Sequence, residues 1–165
     1  MAGYFILSTR KGDYRALAFQ GSQVYACHAQ LSGLLRTHFG EAHARLLAQK
    51  GCKVFLVGGL LRPETEAIIG AAALHSLQQY NFTKAFLGAN GVALDAGFTT
   101  PDPEEAAVKA AAVRRAREAW FLVDDSKFAR VYPAVIAELS GGAILTNHCP
   151  NPKYRQFTLV KEATE

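Results

Sequence analysis

Cysteine, methionine and tryptophan are scarce in this chain, which has three, one and one among its 165 residues. The cysteines, Cys27, Cys52 and Cys149, form an odd set with no C-x-x-C pair, so a disulfide framework is not expected and a reducing compartment fits. Metal-ligand spacing is also missing. His38 and His43 do not share a helix face well, and the adjacent His148 and Cys149 stand without a second ligand pair nearby. No stretch approaches the roughly 18 uncharged apolar residues of a membrane span, and the N-terminus lacks the basic, apolar and small-residue signature of an export signal. The expectation is a soluble cytoplasmic chain with no membrane contact, no metal and no cofactor. Neither G-x-S-x-G nor G-x-x-x-x-G-K-[ST] occurs, and His28 and His75 read as packing or surface histidines and not as general bases.

What is present is an apolar, compact composition: half of the residues are hydrophobic and 19% are charged. This is the composition of a folded domain, and the length suits a single one, 1–165. The formal net charge of +4 is spread along the chain. Its one dense basic run, Arg114, Arg115 and Arg117, reads as the solvated face of an amphipathic helix in preference to a phosphate-contacting patch, and direct contact with DNA, which would need a helix-turn-helix segment, is not expected.

Apolar runs recur at YFILS (4–8), QVYAC (23–27), KVFLVGG (53–59), KAFLGA (84–89), WFLVDD (120–125), AILTN (143–147) and QFTLV (156–160). Most are continuous rather than alternating, the pattern of strands covered on both faces in a parallel sheet. Helical spacing lies between them, at Leu31, Leu34, Leu35, Phe39, Ala42 and Leu46, and again at Ile69, Ala72, Ala73 and Leu77. A third helix is announced at Asp102–Pro103, with a capping carboxylate, a first-turn proline, Glu104 and Glu105 at the positive end and arginines near the other. Alternation of this kind predicts an α/β fold: an open, mostly parallel sheet with helices on both faces, and a ligand crevice beyond the carboxyl ends of its strands.

Two loops at that end carry chemistry. Gly88-Ala89-Asn90-Gly91 permits backbone amides to approach an anion or hydroxyl closely, although a tight turn alone would select the same residues. In FLVDDSKF, Asp124, Asp125, Ser126 and Lys127 follow an apolar strand. The lysine could meet a phosphate and the carboxylates sugar hydroxyls, or the group could simply cap a helix. Glu105 and Lys109 stand at the spacing of a helical ion pair at the surface, and could instead point into the crevice. Gly58, Gly59, Arg62 and Gly70 read equally as a second close-approach surface or as packing glycines.

Taken as one string, VFLVGGLLRPETEAIIGAAA, KAFLGANGVALDAGFTTPDPEEAAVKAAAV, WFLVDDSKF and ILTN, about residues 53–147, resemble the C-terminal sensor domain of DeoR-type bacterial transcriptional regulators of sugar metabolism. The resemblance implies a sugar-phosphate isomerase-like fold that binds a phosphorylated sugar effector and changes the DNA affinity of an attached winged helix-turn-helix domain. Carried over position by position, it implies a first effector loop at Gly88, Asn90, Gly91 and Asp95, followed by Thr99 and Thr100. It implies roles for Glu105 and Lys109 on the next helix, and a second loop at Asp124, Ser126 and Lys127. The pattern departs in three places: Thr9-Arg10-Lys11-Gly12 stands where the family has D-x-G-T-T, residues 1–52 do not read as a helix-turn-helix, and Asn147 replaces a favoured aspartate. The tail from His148 is also divergent. The expectation is a truncated sensor domain that does no chemistry, lacks its own DNA reader and forms a homo-oligomer. The alternatives are an isomerase-like enzyme using Asp95 or Asp124 as a proton shuttle with Lys127 on the phosphate, or an oligomerisation remnant that binds nothing.

Overall fold

The computed structural model describes residues 5–8, 14–17, 57–62, 65 and 67–163. Six strands form the main sheet: β1 (Phe5–Ser8), β2 (Tyr14–Leu17), β5 (Phe82–Gly88), β8 (Ala116–Leu122), β10 (Ala143–Thr146) and β11 (Val160–Glu162), in the order β11-β10-β8-β5-β1-β2. β5, β8, β10 and β11 run parallel, while β1 and β2 are antiparallel additions beyond β5. The fold is therefore α/β with a four-stranded parallel core, in line with the alternation of apolar runs and helical spacing. The expected strand at 23–27 and helix at 31–46 lie outside the described residues.

Two helices form among the described residues. Helix α1 (Ala71–Gln78) buries Ala73 and Leu77. Ile69, grouped with them by spacing, instead belongs to β4 (Ile68–Ile69), which forms a hairpin with β3 (Leu60–Leu61). Gly70 separates strand from helix at φ +94°, a conformation other residues seldom adopt. Helix α2 (Pro103–Arg115) begins where the sequence announces it. The Asp102 carboxylate accepts from the amides of Glu104 and Glu105 at 2.7 and 3.1 Å, and Arg114 and Arg115 fall in the last turn. The two helices pack against each other, and α2 also packs on β5 and β8. Strand alternation puts Ala85, Leu87, Ala119 and Phe121 on the fully buried face of the sheet, while Lys84, Phe86 and Trp120 on the other are only partly buried.

A second, antiparallel sheet of β6 (Gly91–Ala93), β7 (Gly97–Thr100) and β9 (Ala134–Ala137) grows out of the loop that the sequence presents as a turn of small and acidic residues. Phe98 on β7 stacks on Phe121 of β8 with ring centroids 3.6 Å apart, fastening the small sheet to the large one. The final strand also differs from expectation: within QFTLV only Val160 is extended. The residues before it wind into a 3-10 turn, Pro152–Gln156, started by Asn151, whose carboxamide oxygen accepts from the amide of Lys153. Pro152 at its first position favours that turn over an extended continuation.

Candidate functional site

The parallel core decides where the two polar loops meet. In the register of β5 against β8, Gly88 lies opposite Leu122, so the segments that follow leave adjacent strands at the same carboxyl edge. They also touch. Val92 on β6 bridges to Phe128, and the Ala129 amide donates to the Val92 carbonyl at 2.8 Å.

The first rim is built on the β6–β7 hairpin. Its Asn90 amide donates to the Thr99 carbonyl at 3.0 Å, and the Thr100 hydroxyl donates to the Asn90 carboxamide oxygen at 2.8 Å. Thr99 and Thr100 are fully buried, and the Thr99 hydroxyl accepts from the Tyr132 amide at 3.1 Å. Gly91 is required by contact and not by backbone angle: a Cβ there would lie 2.3 Å from the Arg130 carbonyl oxygen and 2.6 Å from the Thr99 hydroxyl. Asp95 is exposed in the turn between β6 and β7, at the end of the hairpin away from Asn90 and Thr100. The structure brings the other rim residues together and holds Asp95 apart from them.

The second rim is a 3-10 turn, Asp125–Lys127, capped by the Asp124 carboxylate. That carboxylate accepts from the amide and hydroxyl of Ser126 and pairs with Lys127 Nζ at 3.2 Å. Lys127 Nζ donates in turn to the Ser126 hydroxyl at 3.0 Å. Partial burial pushes the Asp124 carboxyl up, but the hydrogen bonds from Ser126 and Lys127 and the lysine charge outweigh it and hold the group below its ordinary value. The capping role and the clustering of charge, set out above as alternatives, are thus one arrangement. Asn147, where the family pattern favours aspartate, accepts from the Asp125 amide at 2.9 Å and donates to its carboxylate at 3.2 Å, tying the end of β10 to the same rim.

Glu105 and Lys109 are not the surface pair their spacing suggests. Both side chains are almost fully buried, at 3% and 4% exposure, with Lys109 Nζ 3.6 Å from one Glu105 oxygen. That is an ionic contact, too long for a good hydrogen bond. Lys109 Nζ and the second carboxylate oxygen of Glu105 have no hydrogen-bond partner among the described residues. Burial lowers the Lys109 pKa against the opposing charge of Glu105. Helix α2 begins at Pro103, after Pro101 and Asp102 have followed the end of β7 at Thr100, and Glu105 lies in its first turn. Arg62 secures that turn, pairing with Asp102 and Glu104 at 2.9 Å each.

Sequence reasoning missed Tyr154. Its buried hydroxyl donates to the Val92 carbonyl at 3.0 Å and accepts from the Ala129 amide at 3.2 Å, while its ring meets Phe128 edge to face. Tyr154 thus bridges the two rims from the divergent tail, and Asn151-Pro152 before it is the only local sign of a turn that could present it. Among the described residues no group of His, Cys, Asp and Glu side chains could hold a metal, and no helix is long and apolar enough to cross a membrane.

Residues 35–147 match the family described as the DeoR C terminal sensor domain. This chain belongs to the DeoR sensor-domain family. The match reaches further toward the N-terminus than the motif string at 53–147. Related chains include the HTH-type transcriptional regulator FruR of Bacillus subtilis, 40% identical over 125 residues that cover 74% of this chain and 50% of the relative. The glycerol-3-phosphate regulon repressor of Escherichia coli K12 is 32% identical over 85 residues, 52% of this chain and 34% of that one. The lactose phosphotransferase system repressor of Staphylococcus epidermidis is 34% identical over 97 residues, 58% and 38% of the two chains. This DeoR-type chain spans about half the length of the FruR relative and about a third of the other two. These relatives are transcriptional regulators, and this chain carries their sensor domain.

Proposed function

We propose that the chain senses a phosphorylated sugar or sugar derivative held between the Asn90–Thr100 and Asp124–Lys127 rims, and that occupancy changes the DNA affinity of a helix-turn-helix reader. The observation that carries this reading is the pairing of Gly88 with Leu122, which delivers both polar loops to one edge of the sheet. Lys127 supplies a cation for the phosphoryl group and Asp124 carboxylate lone pairs for sugar hydroxyls, while the Ser126 hydroxyl, donating to Asp124 and accepting from Lys127, holds the two in place. Asn90 stands on the facing side, its carboxamide oxygen held by the Thr100 hydroxyl, while the buried Gly91, Thr99 and Thr100 support it from beneath. On the helix that follows, Glu105 and Lys109 keep one acceptor and one donor unsatisfied among the described residues, where desolvation makes unmade hydrogen bonds costly.

The names of the relatives, regulators of sugar-related and glycerol-3-phosphate genes, support a sensor over an isomerase. Regulation follows by population shift, since an effector that binds one arrangement of the rims better than another moves the equilibrium by that difference. The sensor is proposed to work in the cytoplasm within a homo-oligomer, the form in which paired readers match paired half-sites. Isothermal titration against glycerol 3-phosphate and a panel of pentose and hexose phosphates tests the reading. Saturable heat with at least one, weakened at least tenfold in Lys127→Gln, is expected. A folded sample that binds none of them would leave the oligomerisation remnant as the better reading, and turnover of a panel member would favour the isomerase.

A further inference from the structure

The arginine run lies at the other end of the molecule from the rims, and the fold gives it a shape that the sequence does not. A cavity of about 480 Å³ opens between the last turn of α2, the start of β8 and the start of β5, lined by Asn81, Phe82, Thr83, Arg114, Arg115 and Arg117, with Ala116 between the arginines. Its volume falls in the range of small-molecule sites, roughly 300–1,000 Å³.

Pairing explains why the arginines converge. Phe82 lies opposite Ala116 and Lys84 opposite Glu118, so Thr83 and Arg117 are neighbours. Alternation puts both on the helix-covered face with Ala85 and Ala119. Glu118 points to the other face, where it pairs with Lys84 at 3.4 Å and accepts from the Trp120 indole at 3.3 Å. The last turn of α2 brings Arg114 and Arg115 over the same space. Arg115 Nε is committed, donating to the Tyr80 carbonyl at 2.8 Å. Among the described residues, Arg114 and Arg117 have no ion-pair partner and no carboxylate lines the cavity.

The negative end of the helix dipole accounts for basic residues in the last turn, but it acts only within that turn. Arg117 stands beyond it on the strand. Three guanidinium groups around a concave space, with the Asn81 amide and Thr83 hydroxyl as neutral partners, suit the planar, bidentate capture of phosphoryl oxygens. A compact anion fits this geometry better than an extended nucleic-acid backbone, which needs a long basic stripe.

We propose that this cavity is a second anion site, separate from the effector rims, that takes a small ligand bearing two phosphoryl groups. The proposal does not rest on the effector reading. Inorganic pyrophosphate titrated into the full chain at low ionic strength, followed by amide chemical shifts, tests it. Saturable shifts at Thr83 and at residues 114–117 are expected, as are a loss of affinity of at least tenfold in Arg114→Gln/Arg117→Gln and further weakening as salt is raised. Both arginines are exposed, so the double variant should retain its fold, which circular dichroism checks. Three results would overturn the proposal: no saturable shift, unchanged affinity in the double variant, or a response confined to residues 124–127 and lost in Lys127→Gln. Binding of a random-sequence DNA duplex through these arginines, with none of pyrophosphate, would overturn it as well.

Discussion

At Lys109 the spacing and the burial pull in opposite directions. A glutamate four residues before a lysine on an exposed helix stabilises it by only ~0.3–0.5 kcal/mol. Here both ends are buried and incompletely hydrogen-bonded, so the charges carry a desolvation cost that their 3.6 Å contact does not fully offset. Removing one partner, as in Glu105→Gln or Lys109→Met, should destabilise the fold by about 3–5 kcal/mol in urea unfolding, whereas a joint apolar replacement should be neutral or stabilising. Because the folded-state pKa of Lys109 is lowered, the unfolded chain binds more protons in the window between that value and the ordinary 10.5, so its contribution to stability rises with pH there. The joint variant should lose that alkaline rise. Gly91→Ala is a steric test, since the new methyl group would meet the Arg130 carbonyl and the Thr99 hydroxyl. About 1–3 kcal/mol of destabilisation is expected by thermal unfolding, the range for overpacking.

Among the elements, α2 was the most legible because its signals are local: a capping aspartate, a proline, two acids and terminal arginines within one short stretch. β5, β8 and β10 were legible as apolar runs. β6, β7 and β9 were not, since runs of only three or four residues carry little periodicity, and only pairing with neighbouring strands makes them strands. The Pro152–Gln156 turn was likewise hidden behind an apolar-looking tail. It delivers Tyr154, whose phenol burial pushes up in pKa, keeping it a donor to Val92 while Ala129 donates to it. Tyr154→Phe should cost about 0.5–1.5 kcal/mol in urea unfolding, the net worth of an intramolecular hydrogen bond, because the Ala129 amide and the Val92 carbonyl stay paired with each other at 2.8 Å. Ala129 sits at φ +57°, a left-handed conformation that costs a non-glycine residue roughly 1–2 kcal/mol. Ala129→Gly should therefore hold or raise the melting temperature; a clear fall would show that the alanine side chain is needed there.

On the scale of the whole molecule, β10 lies between β8 and β11, and the divergent tail is structural. Truncation after His148 would strip β11 from the sheet edge, remove Tyr154 from between the rims and leave Ile144 without its Val160 neighbour. Loss of a single cooperative urea transition is the expected outcome; a truncated chain that unfolds with unchanged midpoint would show the tail to be dispensable. The polar rims belong to this scale too. Each was visible as a loop after a strand, and the parallel register of β5 and β8 turned two loops into one edge.

The sequence by itself determined the α/β class, the family, the start of α2 and the residue types at both rims, because apolar periodicity, capping and motif order are written in neighbouring residues. Tertiary structure alone decided that Glu105 and Lys109 are buried, that Asp95 stands apart from the other rim residues, that Tyr154 joins the rims and that the arginines line one open cavity. Each of these depends on which distant segment packs against the residue, and burial and electrostatic environment are properties of that packing and not of local spacing.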